Sequence, residues 1–243
     1  MDTLRSSETR LRLIKECKEF GYQKYPLEFA IVKQLDIALY EVMKRASVLA
    51  SQTKAQRANL SLGIRNYRLF HCALDLLENG YYEASLTLLR AMYENGLQMQ
   101  YFCFHEDEAA AWLQGKKIEQ KVIRKKLNID SKIYKMLSND YAHSLLVQSL
   151  DPLVFDVKDG NVRLNHYPLF SLEDCQIAAC ALIVFARLTL AGLQAIFKPE
   201  LFISKHWVQK IAEIQHMVDD YIQEQRHLAV KLGLAAWVPQ KRS

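Results

Sequence analysis

Residues 82–104 read YEASLTLLRAMYENGLQMQYFCF, and the way this stretch winds decides the fold. At 3.6 residues per turn, Glu83, Thr87, Arg90, Glu94 and Gln98 fall into one narrow polar stripe. Leu86, Leu88, Leu89, Met92, Tyr93, Leu97, Met99 and Phe102 take up the rest of the circumference. A helix apolar around most of its surface belongs inside a protein, so this one is expected at the centre of the chain. A buried Arg90 needs a partner for its charge, and Glu94, one turn on, is the nearest carboxylate.

Composition agrees with a helical protein. Gly and Pro number only 8 and 5 in 243 residues, too few for the many turns of an all-β fold. Half the residues are hydrophobic and 24% are charged, ordinary values for a folded chain with a sizeable core. The net charge of +5 is compatible with an anionic partner such as RNA without requiring one. Cys17, Cys72, Cys103, Cys175 and Cys180 form no closely spaced pair and read as reduced thiols. The N-terminal charges are followed by no apolar segment, so no secretory signal is expected. Residues 177–197 are long and apolar enough for a membrane span, but Arg187 sits mid-stretch. A core or subunit-interface helix is therefore expected there, in a cytoplasmic protein outside the membrane.

Working outward, the pattern predicts helices over about 6–20, 27–51 and 54–78, with Asn79-Gly80 as a stop signal. The third helix and the 82–104 helix should then form an antiparallel hairpin. A short helix over 109–113 and a basic run over 116–126 follow, then a helix from Asp130 to about Leu150. The alternation flanking Asp159-Gly160 predicts a small β-hairpin over about 153–167. An apolar helix should run from Ser171 to Phe197 and end at Pro199, with a last helix over about 200–232. The expected fold class is all-α: a single bundle of long antiparallel helices with one inserted β-hairpin. Residues 1–243 form one domain, with a core over about 54–150 and C-terminal helices over 171–232.

Three groups of residues could carry chemistry. Arg90 and Glu94 are either a structural ion pair or a positioned guanidinium for a phosphate or carboxylate. Tyr134, Ser138, Asn139, Tyr141 and His143 place hydroxyls, an amide and an imidazole within ten residues of helix, as a hydrogen-bonded structural group or as a site. Lys116, Lys117, Lys121, Arg124, Lys125 and Lys126 are either a solvated face or an anion-binding run. No Gly-rich phosphate loop, His-Glu-x-x-His or close Cys pair occurs, so no cofactor and no transition metal are expected.

The same residues carry a family likeness. Gly80-Tyr81-Tyr82-Glu83-Ala84, Leu89-Arg90 and Glu94, with Tyr134, Leu137-Ser138, Tyr141 and His143, resemble a bacterial family catalogued as domain of unknown function 5677. That family looks related to the HEPN (higher eukaryote and prokaryote nucleotide-binding) superfamily, many members of which are dimeric, metal-independent RNases with an Arg-polar-x4–6-His motif. The resemblance implies a helical homodimer directed at RNA or nucleotides, as an endoribonuclease, toxin or phage-defence effector. It would make His143, Arg90 and Asn139 catalytic and place substrate on Glu94, Tyr134, Ser138, Tyr141, Lys125 and Lys126. Asn139 precedes His143, but the nearest upstream base is Lys135 rather than Arg; Arg90 would then supply the guanidinium. The alternative is a non-catalytic dimeric interaction or scaffold protein whose polar network is structural.

Overall fold

A computed structural model describes residues 2–129, 155–158, 161–164, 171–201 and 205–225. Three long helices come first: α1 Asp2–Lys24, α2 Pro26–Ser47 and α3 Lys54–Glu78. Pro26 sits in the first turn of α2, where a missing N–H costs nothing and the fixed φ suits the helix. A reciprocal capping box starts α3: Thr53 Oγ1 accepts from the Gln56 N–H at 3.2 Å and Gln56 Oε1 accepts from the Thr53 N–H at 3.0 Å. Its end is equally well defined. Tyr81 N–H donates to Leu76 O and Gly80 N–H to Leu77 O, with Gly80 at φ 79°, a left-handed value that glycine adopts without strain.

The expected hairpin partner, α4, spans Tyr82–Phe102. Two short helices follow, α5 Glu106–Leu113 and α6 Gln120–Lys126. Beyond them lie α7 Leu172–Leu201 and α8 Lys205–Glu224. Pro199 does not end α7, which continues to Leu201. So close to the helix C-terminus, the proline costs the one bond its N–H would have made four residues back, and only two helical residues follow it.

The centre of the bundle is α7 rather than α4. Every residue from Ile177 to Ala186 is buried, and α2, α3, α4 and α8 all pack against it. Of its most apolar membrane-length window, 78% is buried in the protein, so the helix is covered by its own chain. The register along α7 corrects the expected all-antiparallel arrangement. Tyr93 meets Phe185, Gly96 meets Leu188, and Met99 meets Gly192, so numbers rise together and α4 runs parallel to α7. Helix α3 runs the other way, with Asn66 on Thr189 and Gly63 on Leu193. A Cβ on Gly96 would stand 2.6 Å from Leu188 Cδ2, so the close α4–α7 approach depends on that glycine.

The inserted β-hairpin is also corrected as an element of the bundle, which among the described residues is built by the packing of helices. Strands β1 Phe155–Lys158 and β2 Asn161–Leu164 pair antiparallel with each other. They are four residues each, and the described core is built from helices and their connections. Such a two-stranded ribbon is a local turn structure without independent stability.

Candidate functional site

The site is assembled on the outer edge of α4. Its polar stripe is not sealed inside the bundle: Thr87 is exposed and Glu83, Arg90 and Glu94 are half-buried. Arg90 Nε donates to Glu94 Oε1 at 3.1 Å, and the two side chains keep 22% and 26% of their surface in contact with solvent. The expected pairing is therefore present, while the expected full burial is not. Gln98, lowest on the stripe, turns into the core.

Helix α6 lies against this edge. Gln120 Nε2 donates to the Glu94 carbonyl at 3.3 Å, and Ile123, fully buried, anchors the helix on the bundle. Ile118, Leu127 and Ile129 also pack against the core, and these apolar anchors let so basic a segment fold here. Asn128 closes the turn at φ 53°, with Ile129 N–H donating to Arg124 O at 2.9 Å. Asparagine tolerates this left-handed conformation better than most residues. Lys121, Lys125 and Lys126 are left exposed and Arg124 half-buried. The cations gather in the last turn, where the helix dipole favours them. Lys116 and Lys117 precede the helix, and Lys116 reaches Glu108 at 3.7 Å. The corner thus combines the Arg90 guanidinium, paired to Glu94, with a neighbouring helix that carries Arg124 and exposed ammonium groups. Chemically, it can hold an extended anion by several weak contacts.

Tyr134, Ser138, Asn139, Tyr141 and His143 lie outside the described residues. The described part of the expected site is thus Arg90 and Glu94 on α4 with Lys125 and Lys126 on α6.

Two polar groups escaped the sequence reading. Asn66, Asn95 and Thr189 form a sealed network joining α3, α4 and α7. Asn66 Nδ2 donates to Thr189 Oγ1 at 2.8 Å and to the Met92 carbonyl at 3.1 Å. Asn95 Nδ2 donates to Asn66 Oδ1 at 2.8 Å, and Thr189 Oγ1 donates to Phe185 O at 2.9 Å. Asn66 and Thr189 are fully buried, so this network specifies register and has no access to substrate. The second group lies where α2, α7 and α8 meet. Tyr221 donates to the buried Glu28 carboxylate at 3.2 Å, near Cys180, whose thiol is pushed up to about 12 by burial and then by Glu28. Burial also pushes Cys17, Cys103 and Cys175 up to about 11. Thiols held protonated at neutral pH are poor nucleophiles, so these four are structural. Among the described residues, no three His, Cys, Asp or Glu side chains converge as a metal site.

No curated protein and no solved structure matches the chain. A family model does, over residues 57–151. That stretch takes in most of α3, all of α4, α5 and α6, and the polar residues from Tyr134 to His143. The α4–α6 corner and the polar run beyond it thus lie inside one recognisable unit, and the family whose model this stretch matches is a family of unknown function, DUF5677.

Proposed function

We propose that this protein is directed at RNA or nucleotides through the α4–α6 corner, with the polar segment from Tyr134 to His143 completing the site. One observation carries the reading. The solvent-reachable Arg90–Glu94 pair is held against a short helix whose exposed side chains include Lys121, Lys125 and Lys126. The family match, which takes in both the corner and His143, supports treating them as one unit, and the resemblance to HEPN proteins supplies the substrate class.

In the catalytic form of this proposal, the protein is a metal-independent endoribonuclease of a toxin or phage-defence system. A ribose 2′-hydroxyl attacks the adjacent phosphorus as the 5′-oxygen leaves. One proton must be taken from the nucleophile and one given to the leaving group. His143 exchanges one of these protons, Arg90 steadies the phosphate oxygens, and Asn139, Tyr134, Ser138 and Tyr141 orient the nucleotide. Homodimerisation belongs to the same proposal. Because α7 is covered within the chain, the subunit contact would use another face.

The second reading is a non-catalytic interaction protein, and the sealed Asn66–Asn95–Thr189 network favours it as far as buried polar groups are concerned. Incubation of purified protein with single-stranded RNA in EDTA separates the two. The catalytic reading expects cleavage that His143→Ala abolishes, with the circular dichroism unchanged. RNA that is bound but left intact would leave only the binding part of the proposal standing. RNA neither bound nor cut at low salt would overturn it.

A further inference from the structure

A second open face lies on a different pair of helices. Helices α2 and α3 run antiparallel, with Asp36 opposite His71 and Tyr40 opposite Tyr67. Between their outer edges lies an open groove of about 350 Å³, floored by Tyr40, Met43, Ile64 and Tyr67 and flanked by Lys44 and Arg68. Its exposed surface is mainly apolar. Tyr40 and Ile64 keep 48% and 40% of their area exposed, and Val48, just past the end of α2, keeps 78%. The charged residues lining it are both cations. The neighbouring carboxylate, Asp36, is engaged by His71 Nε2 at 3.1 Å and by the Tyr67 hydroxyl.

We propose that this groove receives an amphipathic helix from a protein partner, with the partner's apolar face on Tyr40, Ile64 and Tyr67 and its flanking carboxylates on Lys44 and Arg68. The geometry is that of a third helix laid between two antiparallel ones. Charge chooses the occupant. Pairing this groove with its own copy would bring together four cations and no lining carboxylate, leaving their charge unbalanced. Lys44 Nζ lies 5.8 Å from the Tyr40 centroid and His71 meets Tyr67 edge-on at 4.6 Å, so neither ring is clear on all sides as a stacking platform for a base. An acidic helix satisfies both the apolar floor and the cationic flanks.

The test uses two fluorescent helical peptides with leucines at i, i+3, i+4 and i+7, one flanked by Glu and the other by Lys. The Glu-flanked peptide should bind saturably, and the Lys-flanked one should not. Ile64→Asp, and separately Lys44→Glu with Arg68→Glu, should each weaken binding about tenfold or more, with circular dichroism unchanged in both. These residues lie on exposed helix surfaces, apart from the α4–α6 corner, so RNA binding should be unaffected. No saturable binding at about 100 μM, equal binding of both peptides, or indifference to Ile64→Asp would overturn the proposal. Displacement of the Glu-flanked peptide by a uridine oligonucleotide would overturn it in favour of nucleic acid. Self-association that Ile64→Asp abolishes would overturn it in favour of a second copy.

Discussion

Asn95 on α4 donates its side-chain N–H to the side-chain oxygen of Asn66 on α3, 2.8 Å away and out of reach of solvent. Asn66 in turn donates to Thr189 on α7. Three helices are thus held in one register by amide and hydroxyl groups that have no water to fall back on. Replacing Asn66 by Ala should cost roughly 1–3 kcal/mol for each polar group left without a partner, read from urea unfolding. A change under about 0.5 kcal/mol would show that the network adds nothing to stability.

The α4–α7 approach should be equally intolerant. A methyl on Gly96 would stand 2.6 Å from Leu188 Cδ2 and 2.8 Å from Leu188 Cγ. Overpacking of this kind costs about 1–3 kcal/mol, against at most about 1 kcal/mol gained in helix propensity. Gly96→Ala should therefore destabilise, and Leu188→Ala in the same chain should recover part of the loss. Two strictly additive losses in the double-mutant cycle would contradict the close contact.

The cysteines should separate by burial. Cys72 is exposed, while Cys17, Cys175 and Cys180 are buried and Cys103 is half-buried. A thiol reagent at pH 8 should titrate Cys72 at once and the others only after unfolding. Stability should follow the same groups at high pH. Burial raises Cys17 and Cys175 from 9.0 to about 11, so the folded chain keeps protons that the unfolded chain has already released. Their contribution is complete below about pH 9 and is lost as pH rises from 9 through 11. Unfolding midpoints that hold steady across that range, or five thiols reacting together in the native state, would contradict the burial.

Much of this was legible from local signals. Asn79 with Gly80 marks the end of α3, because a left-handed stop is written within a few residues, whereas the Thr53–Gln56 box at its start was read only in the structure. The burial of α7 was legible because a stretch apolar on all sides has nowhere else to go. What could not be read depends on partners distant in sequence. A helical wheel places Arg90 and Glu94 on one edge of α4 but does not say which neighbour leaves that edge open. Asn66, Asn95 and Thr189 are each unremarkable alone and meet only when three helices pack. The parallel pairing of α4 with α7 was hidden as well, since the long connection between them permits either direction. Pro199 misled because a proline disturbs the turn before it without ending the helix at once, and α7 runs two residues further.

The partial exposure of Arg90 and Glu94 changes what their pairing is worth. A sealed pair would make Glu94→Ala cost roughly 3–5 kcal/mol. With 22% and 26% of the side chains in solvent, the loss should stay below about 1 kcal/mol by chemical denaturation. A larger loss would place the pair in a far less solvated environment than its exposure implies.

The central claim is that the α4–α6 corner holds a phosphate backbone. The most direct test is the salt dependence of binding between labelled single-stranded RNA and the protein, measured by fluorescence anisotropy for the wild type and for Lys125→Ala with Lys126→Ala. Each phosphate contact on a single strand contributes about 0.7 to the slope of log K against log salt. Removing both lysines should therefore weaken binding and flatten the slope by about 1.4. Binding with an unchanged slope, or no binding by the wild type at low salt, would contradict the account.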